Sequence, residues 1–251
     1  MKASETRQKA RDFLKTLSGK YQLFIVSIML AIFTISISYR QTIFSANTGT
    51  AFNITESIPS IIGMLSALFL ASASYAVLDV IRFKRNHVEI GDNMIIFSNE
   101  LIGKYILTAI LKWLFIFLWS LIANIGLFIF AIGTYMTIHN STLGWGVMII
   151  GLITTATGIV LTTMKEFSYS MTTYILYDDI QNGTYEGPRS IMKKSSKLMN
   201  GHRWRFFCLQ ISFIGWYLLT GVTCGLIYFY TLPYITTAKL FFYEELLENA
   251  V

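Results

Sequence analysis

The chain has 251 residues, of which 54% are hydrophobic and only 14% are charged, against about 25% charged in an ordinary soluble domain. From Trp113 to Met164 there is no Lys, Arg, Asp or Glu, an apolar load that a water-soluble fold of this size could not cover, so a soluble class is excluded and a bilayer is implied. The net charge of +6 does not signal nucleic acid, because the basic residues are scattered between apolar runs and form no basic domain.

Residues 3–20 read as a cytosolic amphipathic leader, with Ala10, Phe13, Leu14 and Leu17 on one helical face and Arg7, Arg11 and Lys15 as a stripe on another. A spanning helix needs about 20 apolar residues, and Tyr21–Ser38 is the first of six such stretches. Ser36-Ile37-Ser38 loosely resembles a leader-cleavage site, but an uncleaved span is the expectation because no secreted domain follows. Loop 39–57 is rich in Thr, Ser and Asn and holds the sequon Asn53-Ile54-Thr55. Span two, near 58–81, carries Gly63, Ala67 and Ala71 at four-residue spacing, which predicts close helix packing. Asp79 lies three residues before Arg82 at its inner end.

Span three, near 113–135, has Asn124 at its middle, a predicted midplane polar contact between helices. The loop 136–142 contains a second sequon, Asn140-Ser141-Thr142. Span four, near 143–164, repeats Gly144, Gly151 and Gly158 at seven-residue spacing, again a close-packing signal. The segment 165–203 is expected in the cytosol, with a basic amphipathic helix at 188–200. Ile191, Met192, Leu198 and Met199 form its apolar side, and Arg189, Lys193 and Lys197 recur every four residues on the other. Such helices favour anionic headgroups, although these charges could also serve only to fix topology. Spans five and six, near 204–222 and 226–242, are joined by Thr223-Cys224-Gly225 as a tight hairpin. Pro233 should kink or break the sixth, which leaves a five-span or re-entrant arrangement as the alternative.

Of the 20 Lys and Arg residues, only Arg40 falls on the outer side, which places both termini in the cytosol and favours an even number of spans. The fold class is therefore all-α, a single polytopic transmembrane bundle of about six spans with two interfacial amphipathic helices.

From Glu166 the chain reads Glu-Phe-Ser-Tyr-Ser-Met-Thr-Thr-Tyr-Ile-Leu-Tyr-Asp-Asp. Further on come Leu198-Met199-Asn200-Gly201-His202-Arg203-Trp204-Arg205, Ser212-Phe213-Ile214-Gly215-Trp216, Leu232-Pro233-Tyr234 and Phe242-Tyr243-Glu244-Glu245-Leu246. This order closely resembles the bacterial membrane family of domain of unknown function 975, most strongly over residues 166–246. Arg7, Ala10, Arg11, Leu14 and Lys15 resemble that family's opening, whereas the stretch Arg82–Lys104 departs from the Gly- and Phe-rich loop of its members. The resemblance implies a bacterial, Gram-positive, multi-pass protein of the cytoplasmic membrane and carries over no catalytic or ligand residues.

Among the family-like residues, Arg203, Trp204 and Arg205 stand where a helix re-enters the bilayer. They can anchor the interface or, with Arg189, Lys193, Lys197 and His202, clamp a lipid headgroup. Ser212, Gly215 and Trp216 offer a small residue, a notch and a large ring within one turn, a packing surface. Charge inside the spans, which would point to transport, is nearly absent. No GxSxG, HExxH, P-loop or GxGxxG motif occurs, and Ser190-Ile191-Met192-Lys193 matches SxxK without its companion motifs. Cys208 and Cys224 and the three histidines have no metal-ligand spacing. No cofactor and no metal site is therefore expected.

Three functions remain. The first is a non-enzymatic membrane protein acting on anionic inner-leaflet lipid, a membrane partner or a second copy of itself. The second is a transporter, permease subunit or channel using Asn124, the Thr-rich fourth span and the Pro233 break. The third is a membrane-embedded lipid enzyme with Asp178, Asp179 or Glu186 on a metal.

Overall fold

The computed structural model describes residues 3–48, 57–139, 142–223 and 225–249, so the sequons at Asn53 and Asn140 and the thiol of Cys224 lie outside the described residues. The helices run in the order α1 (Ala3–Thr16), α2 (Lys20–Thr48), α3 (Ile58–Ile81), α4 (Ile102–Ile138), α5 (Leu143–Ser168), α6 (Thr172–Gln181), α7 (Pro188–Leu198), α8 (Arg203–Ile211), α9 (Ile214–Val222) and α10 (Tyr228–Glu248). A 3-10 segment, Ile90–Phe97, follows α3. Among the described residues there is no strand, and five stretches are long and apolar enough to cross a membrane: Lys20–Ile43, Ile58–Ile81, Ile102–Ile138, Leu143–Gln181 and Arg203–Val222. The protein is an all-α, polytopic bundle; α10, the expected sixth span, is not in that set. The chain forms two compact units, one of residues 1–102 with 205–251 and one of residues 103–204.

In the first unit, α2 and α3 pack together, with the Ser66 hydroxyl donating to the Ser27 carbonyl at 3.1 Å. The Gly63-Ala67-Ala71 stripe does not form this contact as the sequence predicts. A Cβ on Gly63 would meet nothing within 4 Å, Ala67 is exposed, and only Ala71 is buried. Small residues permit close approach without requiring it, and here the face bearing Ser66 meets the neighbour. The end of α3 is the more deeply buried part, from Ala71 to Leu78. The 3-10 segment covers it, the Ile96 N–H donating to the Ser72 hydroxyl at 2.9 Å.

The centre of this unit is α10, buried at thirteen positions between Thr231 and Leu246 and packed by α1, α2, α3 and α9. It runs unbroken through Pro233. That residue lies in the second turn, where the missing N–H leaves one carbonyl, that of Phe229, without its helical donor. The fifth expected span is two helices rather than one. It breaks after Ile211, and Arg7 reaches in to donate to the Ser212 carbonyl at 3.3 Å. Phe213 and Trp216 then pack on α10, with ring centroids 5.3 Å from Tyr234 and 5.2 Å from Tyr230 respectively. The turn back into α10 places Gly225 at φ +86°, and a Cβ there would lie 3.8 Å from Ile32 of α2.

The second unit is built on the antiparallel pair α4 and α5. At about 1.5 Å per residue, the 37 residues of α4 extend about 55 Å, well beyond a hydrocarbon layer of about 30 Å. The predicted span 113–135 is thus the central part of a longer helix. Here the glycine repeat lies at the close approach: a Cβ on Gly151 would lie 2.3 Å from the Phe130 nitrogen, and one on Gly158 2.3 Å from that of Ala123. Gly126 and Gly133 of α4 meet Thr155 and Met148 as closely in return. Each step up one helix is matched by an equal step down the other, so the register does not slip.

Candidate functional site

The second unit holds a basic site on α7. Gly187, at φ +119°, turns the chain into α7, and Pro188 opens the helix where its missing N–H costs no bond. Ile191, Met192, Ser195 and Met199 are buried, and α7 packs on α6 and α5. The Ser195 hydroxyl donates to the Ser168 carbonyl at the end of α5 at 2.8 Å, and Lys194 pairs with Asp179 of α6 at 2.6 Å. The apolar side of α7 is therefore covered by protein, not left for lipid. The same holds for α1, whose buried Ala10 and Leu14 lie on a helix packed along α10. Both helices are amphipathic as expected, but in each the basic side is what remains exposed.

That side of α7 presents Arg189, Lys193 and Lys197, all exposed; among the described residues none of the three forms an ion pair. Arg189 and Lys193, with Met192 and Ser196, border a cavity of about 290 Å³ closed by Phe115 of α4 and by Tyr169, the residue that caps α5. The Phe115 and Tyr169 rings meet edge to face at 6.4 Å. Two cations, a hydroxyl, a phenol and an apolar wall at the end of a spanning helix make a recess suited to a phosphate with hydrocarbon beside it.

The other predicted headgroup contacts are placed differently. Trp204 is 71% exposed, in keeping with an interfacial ring. Arg205 is not free for lipid: it pairs with Glu245 of α10 and lies 5.7 Å from the Phe242 ring centroid. Burial works to raise the Glu245 carboxyl, but hydrogen bonds and charge from cationic partners, Arg205 among them, outweigh it and hold it below the ordinary carboxylate range. Arg203 is half-buried, with its Nε lacking a hydrogen-bond partner.

Of the packing residues, Ser212 marks the break between α8 and α9 and turns its hydroxyl onto the Leu209 carbonyl at 2.6 Å. Gly215 is exposed with nothing within 4 Å of its Cβ position, so only Trp216 of that trio packs against a helix. Asn124 is exposed and donates to the Ser120 carbonyl of its own helix at 2.9 Å, with no hydrogen bond to another helix among the described residues. Asp179 is held by Lys194, and Glu186 accepts from Ser190 at 2.9 Å. No group of three His, Cys, Asp or Glu residues able to hold a metal occurs among the described residues.

Sequence reasoning missed Phe115 and passed over Tyr169 as a wall of the basic recess, because they come from segments far apart in the chain. A family model described as "Protein of unknown function (DUF975)" matches residues 1–250. The chain belongs to that family. The match covers both units, beyond the 166–246 region where the motifs concentrate. Comparison with curated proteins and with solved structures returns no match.

Proposed function

We propose that this DUF975 protein is a non-enzymatic protein of the bacterial cytoplasmic membrane that holds anionic lipid headgroups at the inner leaflet through α7. The observation that carries the reading is the set Arg189, Lys193 and Lys197: exposed, outside any ion pair among the described residues, and two of them bordering the recess under Tyr169 and Phe115. A neighbouring cation, Lys194, is tied to Asp179. Since α7 is docked by its buried side, its free cations have fixed places, which lowers the ordering cost of holding a phosphate. Orientation toward the inner leaflet rests on the nineteen-to-one placement of basic residues.

The test is reconstitution into nanodiscs of phosphatidylcholine with one-fifth phosphatidylglycerol, with enrichment of phosphatidylglycerol around the protein over its bulk share as the readout. Arg189→Gln/Lys193→Gln/Lys197→Gln is expected to lower that enrichment about a hundredfold, at about 1 kcal/mol per basic residue near the surface. Equal enrichment around the variant and the parent protein would remove this reading.

A further inference from the structure

A second basic recess lies in the other unit, where the leader meets the first span. It has a volume of about 220 Å³ and is bordered by Arg11, Leu14 and Lys15 of α1, Lys20 and Tyr21 at the start of α2, and Tyr230 and Pro233 of α10. Among the described residues, three cations and no carboxylate border it. Arg11 and Lys20 are held in place. The Arg11 guanidinium stands 5.9 Å from the ring centroid of Tyr234, which is fully buried. Lys15 meets Asp12 at 2.9 Å one turn away in an exposed pair, which water screens and a phosphate can displace, unlike the more buried pairs of Arg205 and Lys194. Lys20 donates to the Leu14 carbonyl, near the end of α1, while its ammonium lies 5.3 Å from the Tyr21 ring centroid.

One bordering ring, Tyr230, belongs to a packed cluster. Tyr230, Tyr234, Phe213 and Trp216 form one aromatic cluster, with centroid separations between 5.2 and 5.9 Å. The depth of the recess is also set, because the 24-residue apolar stretch of α2 begins at Lys20. Cations on one side, phenols at the wall and the first residue of a span at the rim place this recess at the level where headgroup phosphates lie.

We propose that Arg11, Lys15 and Lys20 bind one phosphate-class anion, with Tyr21 and Tyr230 flanking it. The chemistry is shared by a lipid headgroup phosphate and by free phosphate. The site is separate from α7 and stands or falls independently of it.

Full-length protein in a nonionic detergent is titrated with phosphatidylglycerol and read by native mass spectrometry, and separately titrated with inorganic phosphate by calorimetry. Arg11→Gln/Lys20→Gln is expected to weaken one phosphatidylglycerol-binding step about tenfold or more, while Arg189→Gln/Lys193→Gln leaves that step in place. Lys15→Glu, an exposed position that holds no part of the core, should give the same loss and guards against a folding defect through Lys20. Arg11→Lys/Lys15→Arg, which keeps the charges, should restore binding. Loss of phosphate binding in these variants with the lipid titration unchanged assigns the site to free phosphate. Unchanged titrations with both probes overturn the proposal.

Discussion

At the end of α3 the backbone turns left-handed at Phe83, φ +58°, the single non-glycine residue with positive φ among the described residues. Phe83 N–H bonds the Val80 carbonyl and Lys84 N–H bonds that of Asp79, at 3.0 and 2.9 Å. This is the double bond pattern that closes a helix on glycine. The turn lets three successive cations find carboxylates: Arg82 with Glu244 at 2.7 Å, Lys84 with Asp79 at 3.5 Å and Arg85 with Asp92 at 2.7 Å. The phenylalanine ring contributes nothing to this and is 91% exposed. A left-handed L-residue costs roughly 1–2 kcal/mol, part of which glycine returns to the unfolded chain as entropy. Phe83→Gly should therefore raise the thermal midpoint in detergent, by about 2–4 °C per kcal/mol regained. Phe83→Ala, which keeps the Cβ, should not. Equal midpoints for the two variants would show that the left-handed turn stores no strain.

Among the elements, the pair α4 and α5 was the most legible, because a glycine every seven residues keeps one face of a helix free of side chains over its whole length. Gly144, Gly151 and Gly158 fill that role, and Gly126 and Gly133 answer from α4. The four-residue stripe Gly63-Ala67-Ala71 looked equally good and points mostly away from α2. Spacing says which face could approach a neighbour, and only the neighbour decides which face does. Amphipathic α1 and α7 pose the same difficulty. Their apolar faces were plain in the sequence, but not that α10 and the α5–α6 end would cover them and leave the polar faces, cations among them, exposed.

The glycines give a direct contrast. Gly151→Ala forces a methyl to 2.3 Å from the Phe130 nitrogen, so the backbones must separate. The expected loss is about 1–3 kcal/mol, read as a lower unfolding midpoint in detergent. Gly63→Ala, with nothing within 4 Å, should lose nothing and could gain slightly from helix propensity. A similar midpoint for both variants would mean that α4 and α5 do not approach as closely as described.

For the whole molecule, the number of crossings turns on α8, α9 and α10, where hydrophobicity alone is ambiguous: Arg203–Val222 has the lowest hydropathy of the five candidate spans and α10 is not among them. The contacts in the first unit are more informative. Arg205 pairs with Glu245, Phe213 packs on Tyr234 and Trp216 on Tyr230, so α8 and α9 run antiparallel to α10. The turn between them brings Gly225 beside Ile32, twelve residues into the stretch Lys20–Ile43, or about 18 Å at 1.5 Å per residue. That is near the middle of a layer about 30 Å thick. At the other end Glu244, about 28 Å along the helix from Gly225, reaches Arg82 just past the last residue of α3, so this end stands on the cytosolic side of the Lys20 level. With Lys20 at the inner boundary, these contacts predict a hairpin that enters from the cytosolic side, turns within the layer and returns. Such a path would keep both termini inside, as the charge distribution predicts, without a fifth and sixth full crossing. Irregular backbone at that depth is tolerated where protein covers it, and α2 lies beside the turn. The decisive measurement is labelling of single cysteines from outside intact cells with a charged, impermeant thiol reagent, in a Cys208→Ser/Cys224→Ser background. Arg40→Cys, at the outer end of α2, should label. Val222→Cys, at the tip of the hairpin and exposed, should not, since the outer half of the bilayer separates it from the reagent. Labelling of Val222→Cys as rapid as that of Arg40→Cys would establish two full crossings in place of the half-depth hairpin.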